Sequence, residues 1–344
     1  MNRQILRNDF PGFIFIDEME PEALTVYLKR RRVEGLENVQ VESKHPLGDG
    51  NMNITRLLKT NLGALVLKQS VPWVAKYPSI NAPWDRSIRE ASFYHAVETI
   101  ENVSSHMPRL LDIDLGNRTL LFLFEPNTQD CSDIYANPSS IRGEHAKAAA
   151  EWLGALHSSE MDSDQTPDIT NRDMRSLNHE HIFDIPFRPN NGIDLDSITP
   201  GLQQVAEHLI EDGKLAKKAR LLGEEYYLAD GDTLLHGDYF PGSWLRRKSE
   251  ILVIDPEFAF MGNPAFDLSV ALAHFEMAGS PETIKETFVE TYKNLASVNE
   301  PAVEALKGIE ILRRILGVAQ LPLKADFDYK KRLVEHARES VLAV

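Results

Sequence analysis

The chain has 344 residues, 42% of them hydrophobic, which suffices for two packed lobes with sizeable cores. A formal net charge of −15 argues against a nucleic-acid partner or an anionic membrane surface, both of which need a basic footprint. A single cysteine, Cys131, excludes an internal disulfide and a thiolate zinc cluster; with no apolar run of membrane-span length and no leader-like start, a reducing cytoplasm is the expected location.

Pro21 to Leu28 has apolar residues at helical spacing after an acidic start, and reads as a short amphipathic helix. Leu47 to Ile54 (LGDGNMNI) follows. Gly48-Asp49-Gly50, with Asn51 and Asn53, forms a tight turn whose amides can approach phosphates; an ordinary hairpin turn is the plainer alternative. Ala64 to Gln69 reads as a strand with one lysine, Lys68, set among apolar residues. Val71 to Asp85 is too rich in proline for a helix or central strand and reads as an ordered loop with Trp73 and Trp84 as anchors. Asp85 to Glu98 reads as a helix capped by Asp85, with an apolar stripe beside Glu90. Leu120 to Phe124 is a buried strand running into Glu125-Pro126 and a polar connector. This predicts a lobe boundary, with residues 1–125 on one side and 126–344 on the other.

Beyond the boundary, Ile141 to Leu156 is a strong helix, and His157 at its end reads as structural. Residues 158–200 read as an irregular acidic insertion. His179 and His181 lie two apart within it and read as packing or surface residues, since no third metal ligand follows. Leu202 to Leu228 reads as helical. The densest chemistry lies from Leu234 to Asp267, where two apolar runs each end in carboxylates: one leads into His236-Gly237-Asp238, the other into Asp255-Pro256-Glu257. The residues between them, including Arg246-Arg247-Lys248, suit a loop and a tight reversal. Asp238 and Asp255 are therefore expected at the ends of neighbouring strands, facing one cleft. Carboxylates that close repel unless a cation lies between them, and hard oxygen ligands suit magnesium. Three helices and an amphipathic tail follow. The third helix, Pro301 to Leu316, carries Arg313 and Arg314 side by side in an apolar run. Adjacent residues point about 100° apart, so at least one arginine faces inward and needs an anion or several acceptors; an intramolecular salt bridge satisfies that need as well as a ligand does.

HGDxxxGSxL followed by a strand, DPE and FDL resembles the catalytic segment of the aminoglycoside phosphotransferase and choline kinase superfamily. The helix ending in His157 resembles that superfamily's LGxLH helix, while the run LGDGNMN…LVLKQSVPWV, Ser243 where most members carry Asn, and IEILRRILGVAQLP resemble its methylthioribose kinase branch. The resemblance spans roughly residues 45–340. It implies an α+β, two-lobed protein-kinase-like fold, with an N-terminal antiparallel-sheet lobe and a larger, mainly helical C-terminal lobe. It implies ATP and Mg2+ as cofactors and a small-molecule hydroxyl acceptor, most closely S-methyl-5-thioribose; homodimers are common in the family. By resemblance, Gly48, Asp49, Gly50, Asn51, Asn53 and Lys68 hold phosphates, Glu90 pairs with Lys68, and the backbone around Glu125 meets adenine. Asp238 is the catalytic acid–base group and also meets the acceptor. Ser243, Asp255 and Glu257 hold magnesium, and Arg313 and Arg314 bind the acceptor. His236 and Asp267 are read as scaffold for the catalytic loop.

The chain departs from the branch, which reads HGDLHTGS, at Phe240 and Pro241, and it is short for that family. Two other readings stand beside the sugar kinase. A phosphotransferase for an aminoglycoside or choline-like amine suits the acidic surface but not the paired arginines. A nucleotide-binding scaffold without turnover conflicts with Lys68, Asp238 and Asp255 being present together.

Overall fold

A computed structural model describes residues 3–48, 52–161, 169–211 and 213–344. The expected phosphate-turn residues Asp49, Gly50 and Asn51 lie outside the described residues. The chain divides into two units, one of Met1–Glu98 with Met107–Asn127, the other of Thr99–His106 with Thr128–Val344.

The first unit contains α1 (Arg3–Asp9), α2 (Pro21–Arg31), β1 (Val41–Pro46), β2 (Ile54–Thr60), β3 (Gly63–Gln69), β4 (Trp73–Val74), β5 (Tyr77–Asn81) and α3 (Arg86–Ala96). In the second unit, α4 (Glu101–Ser104) precedes the return of the chain to the first as β6 (Leu110–Asp114) and β7 (Thr119–Leu123). Five strands form one antiparallel sheet in the order β1-β2-β3-β7-β6. Both faces of its centre are covered, which is why β7 reads as a continuous apolar run. Leu65, Leu67 and Leu121 point to a core shared with Phe15, Leu24 and Leu28. Leu24 and Leu28, one turn apart on α2, each contribute roughly 2 kcal/mol by burial. Leu120 and Phe122 point the other way, onto Ala91 and Tyr94 of α3. The period of two along β3 places Lys68 on this second face, toward α3.

Val71 to Asp85 is not the simple loop expected from its prolines. It contains the β4–β5 hairpin, in which Trp73 pairs with Asn81 and Val74 with Tyr77. Pro78 is tolerated because every residue of β5 is exposed, so no ladder hydrogen bond on its outer side is lost. Asp85 sits at the N-terminus of α3 without a side-chain cap; its carboxylate pairs with Arg89 instead.

The second unit contains β8 (Gln129–Asp130), α5 (Gly143–Ser158), α6 (Arg172–His179), α7 (Leu202–Ile210), α8 (Lys214–Gly223), β9 (Thr233–Leu235), β10 (Trp244–Arg247), β11 (Glu250–Val253), β12 (Phe260–Gly262), α9 (Ala265–Ala278), α10 (Glu282–Lys293), α11 (Glu300–Leu316) and α12 (Phe327–Leu342). Every residue of α9 except Glu276 is buried, so this helix is the core element. α11 packs on α9 and α12, and α10 packs on α5.

Three expectations change here. The run from Leu202 to Leu228 is broken after Ile210; Gly213, at φ 65°, begins α8, which passes into a wider turn over Glu224–Leu228. The described part of the insertion, from Ile169, is more ordered than its composition suggests. Arg175 of α6 is fully buried, donates to the carbonyls of Tyr227, Leu228 and Ala229, pairs with Asp230 and stacks on Phe260. It thus satisfies the otherwise orphaned carbonyls at the end of the 214–228 helix. Finally, the two carboxylate-ending runs are not neighbouring strands. β9 pairs with β12, whereas β11 pairs with β10, which pairs in turn with β8. Arg246 and Arg247 lie in β10 rather than in a loop, and the reversal falls at Lys248, φ 57°.

Candidate active site

In the second unit, β9 delivers His236, Gly237 and Asp238 into a loop fixed by backbone hydrogen bonds. Asp267, the first acidic residue of the buried helix α9, is wholly enclosed. Its carboxylate accepts the amides of His236 (2.6 Å) and Gly237 (2.9 Å). His157 lies 3.4 Å from the same carboxylate and also bonds the Tyr292 hydroxyl, so both residues expected to be structural are so. Gly237 has φ +83°, and a Cβ there would lie 2.1 Å from the Phe258 carbonyl oxygen. Only glycine satisfies both constraints.

His236 is buried; its Nδ1 accepts the Asp238 amide at 3.3 Å, so Nε2 carries the proton and donates to the Ile254 carbonyl at 3.0 Å. Burial pushes its pKa down, so it stays neutral and acts as scaffold, as the sequence suggested. The Ser243 hydroxyl donates to the Asp238 carbonyl at 2.9 Å, and the Ile254 amide donates to the Ser243 carbonyl at 3.0 Å. Through these bonds the Asp238 loop and the segment carrying Asp255 are joined although their strands are not paired.

Asp255 is exposed and takes the left-handed conformation, φ 62°, just before the turn Pro256–Phe258. Glu257 is buried in that turn. Asn171, from the insertion, donates to the carbonyls of Glu257 and Ala259, both at 3.0 Å, and so holds the turn in place. Sequence reasoning missed Asn171, since nothing local marks a partner that lies 86 residues away. The donors at Ser243, Asp255 and Glu257 are all hard oxygens, which fits magnesium by chemistry. Among the described residues no three His, Cys, Asp or Glu side chains form a ligand cluster. Magnesium tolerates such a site, because it commonly keeps waters and substrate phosphates as ligands.

Arg313 and Arg314 are both buried, and one carboxylate binds them both. Glu310 accepts from Arg313 Nη1 (2.9 and 3.0 Å) and from Arg314 Nε (2.6 Å). Positions three and four residues apart share a helix face, so this pairing was present in the spacing Glu310-x-x-Arg313-Arg314. Arg314 Nη2 lies 3.4 Å from Asp238 Oδ1. Burial pushes the Asp238 carboxyl above its ordinary pKa, opposed by the positive charges of Arg314 and Arg313. Phe240, one of the departures from the branch motif, lies with its ring 5.0 Å from the Arg314 guanidinium and 4.8 Å from the His274 ring.

In the first unit, Lys68 and Glu90 are both buried and pair at 2.6 Å across β3 and α3. Arg86, one turn before Glu90, is also buried. It binds the Met52 carbonyl, the Asn53 side-chain oxygen and the Val71 carbonyl, anchoring Met52 and Asn53 just before β2. Gly48 has φ 69°, a conformation glycine adopts without strain. Glu125 is half-buried beyond β7. Cys131 is buried, and burial pushes its thiol up to about 12, which suits a packing residue.

Residues 45–306 match the model of the phosphotransferase enzyme family. The chain is 26% identical over 348 aligned positions to a methylthioribose kinase of Exiguobacterium sibiricum, covering 87% of this chain and 86% of that one. It is 24% identical to a methylthioribose kinase of Bacillus velezensis, covering 82% and 79%. Solved structures with the same fold include a choline kinase from Cryptosporidium parvum (12% identity, 93% and 95% covered, TM-score 0.59) and a spectinomycin phosphotransferase bound to ADP and spectinomycin (12% identity, 95% and 98% covered, TM-score 0.56).

Proposed function

The chain belongs to the phosphotransferase enzyme family, and from that premise we propose that it transfers the γ-phosphoryl group of ATP to a hydroxyl of a small sugar-like acceptor, S-methyl-5-thioribose being the first candidate. One observation carries the reading: a single loop presents Asp238 beside Arg314, with the loop fixed by Asp267 and the arginine fixed by Glu310. An acceptor hydroxyl at this place meets a carboxylate that can take its proton and a guanidinium that can bind a neighbouring oxygen.

The chemistry asks for positioning and charge neutralisation more than covalent help. The Asp238 carboxylate orients the acceptor O–H and takes its proton as the oxygen bonds to the γ-phosphorus. The bond from that phosphorus to the bridging oxygen breaks, and ADP leaves with the electron pair. The raised basicity of Asp238 suits a group that must receive a proton. Lys68, held in place by Glu90, would bind nucleotide phosphates, as would amides of the turn beginning at Gly48; the backbone around Glu125 would meet adenine. Ser243, Asp255 and Glu257 are the residues that would hold magnesium, which when bound neutralises phosphate charge.

The sugar-like acceptor is supported by the relatives named methylthioribose kinase and by Arg314 beside Asp238, whose N–H groups suit the oxygens of a polyol. The test is ATP consumption with magnesium against methylthioribose, other pentoses, choline and an aminoglycoside, with Asp238→Ala in parallel. Turnover on methylthioribose that disappears in the variant is expected. Turnover only on an amine removes the branch assignment, and none on any acceptor removes the kinase reading in favour of a scaffold.

A further inference from the structure

The acceptor end of the site is organised around one buried carboxylate that the reaction itself does not use. Glu310 is 2% exposed and accepts hydrogen bonds from three side chains: Arg313, Arg314 and His274, the last at 3.1 Å. A carboxylate only accepts, so His274 Nε2 carries a proton, and Nδ1 is left to accept from the Tyr135 hydroxyl. The chain therefore runs Tyr135 to His274 to Glu310, every member buried, with Tyr135 donating to His274 and His274 to Glu310. Because Arg314 gives its Nε to Glu310, its Nη2 is the atom that reaches Asp238. The position of Glu310 thus sets the direction of the Arg314 fork. The charges also close: the two positive charges of Arg313 and Arg314 face the two negative charges of Glu310 and Asp238. Among the described residues Arg313 Nε has no hydrogen-bond partner although it is buried, so a donor is left over for a ligand oxygen although no net charge is. Phe240 covers both the Arg314 guanidinium and the His274 ring.

We propose that Glu310, backed by His274 and Tyr135, is the positioning residue of the acceptor site: it aims Arg314 at Asp238 and balances the arginine pair, so that the site takes a neutral polyol and not an anionic one. The inference rests on the kinase reading above and deepens it.

The physical reason is twofold. A buried guanidinium without a counter-charge is strongly unfavourable, and Arg314 freed from Glu310 would close onto Asp238, the nearest remaining carboxylate, and occupy the base. A site missing one negative charge would then attract anions.

The experiment compares full-length wild type with Glu310→Gln, Glu310→Asp and Tyr135→Phe in steady-state kinetics for both substrates, with melting temperature measured against added sulfate. For Glu310→Gln, kcat/KM for the acceptor is expected to fall about 100-fold, the scale of a misplaced catalytic contact, with KM for ATP unchanged. Glu310→Asp, which restores the charge, recovers part of that loss. Tyr135→Phe keeps all charges and raises the acceptor KM alone. Sulfate, as the anionic probe, raises the melting temperature of Glu310→Gln but not of wild type. Parallel losses on ATP and acceptor, or unaltered kinetics beside a lowered melting temperature, would make Glu310 merely structural and overturn the proposal. Should Glu310→Gln fail to fold, an unaltered acceptor KM in Tyr135→Phe overturns it. If wild type turns over no acceptor, the kinase reading falls on its own, and an equal sulfate response in wild type and Glu310→Gln still refutes the charge balance.

Discussion

Replacing Asp267 by Asn keeps the shape of the side chain and removes its charge, which isolates what the buried carboxylate does for the catalytic loop. In the native protein two oxygens accept the amides of His236 and Gly237 at 2.6 and 2.9 Å, within a fully enclosed site. A carboxamide offers one acceptor; its NH2 group faces the second amide and cannot accept from it. One buried backbone N–H is therefore orphaned, costing about 1–3 kcal/mol, and the surviving bond loses its charge assistance, roughly another 1 kcal/mol. The expected destabilisation is about 2–4 kcal/mol, read as a fall in urea midpoint at constant slope. Asp238 is the next residue along, so a loop relaxing by ~1 Å should lower kcat by about 100-fold. KM for ATP should change much less than kcat, since Lys68 and Glu90 belong to the other unit and only the proposed magnesium ligands adjoin the loop. Unfolding followed by tryptophan fluorescence and a coupled ADP assay test both parts. A variant with wild-type stability and wild-type kcat would refute the claim that Asp267 fixes the loop.

Gly237→Ala meets both a left-handed backbone and a carbonyl oxygen 2.1 Å from the new Cβ; it should destabilise by at least about 2 kcal/mol and nearly abolish turnover, checked by melting temperature and kcat. Lys68→Met should raise KM for ATP and lower kcat, and in a double-mutant cycle with Glu90→Gln the two losses should fall short of additive, because each residue is the buried partner of the other. Arg175→Ala strips the carbonyls of Tyr227, Leu228 and Ala229 of their donor and should cost about 3–5 kcal/mol in denaturant titration while KM for ATP holds. For pH, burial lowers His274 from 6.5 to about 4. The unfolded chain therefore binds the proton first, so stability falls as pH drops from about 6.5 toward 4, by roughly 3 kcal/mol from this group, and is fully present at pH 7. Glu310, which the arginines hold well below the usual carboxylate range against the opposing effect of burial, acts in the same direction at lower pH. Urea midpoints from pH 4 to 7 check this, and a flat profile would contradict it.

Features that depend on neighbours within a few residues were legible in the amino-acid order. The period of two in β3 put Lys68 on the face opposite Leu65 and Leu67, and helical spacing put Glu90 on a face with Tyr94, four residues on, so their pairing could be anticipated. Asp238, Asp255 and Asp267 stood out because each follows or opens an apolar run, and the helices from Ile141 and from Pro301 lie close to where their periodicity placed them. Even Glu310 was within reach, at three and four residues from the arginines. Which run pairs with which was settled by the fold. Apolar strands carry no label for their partners, so β9 chose β12 and β11 chose β10 against expectation. The same holds for groups joined across long stretches of chain: Asn171 to Glu257, Asp267 to the amides 30 and 31 residues before it, and Tyr135 to His274. A buried hydrogen bond needs a complementary atom at the right place in space, and a side chain's own neighbours in sequence say nothing of what the fold will bring beside it.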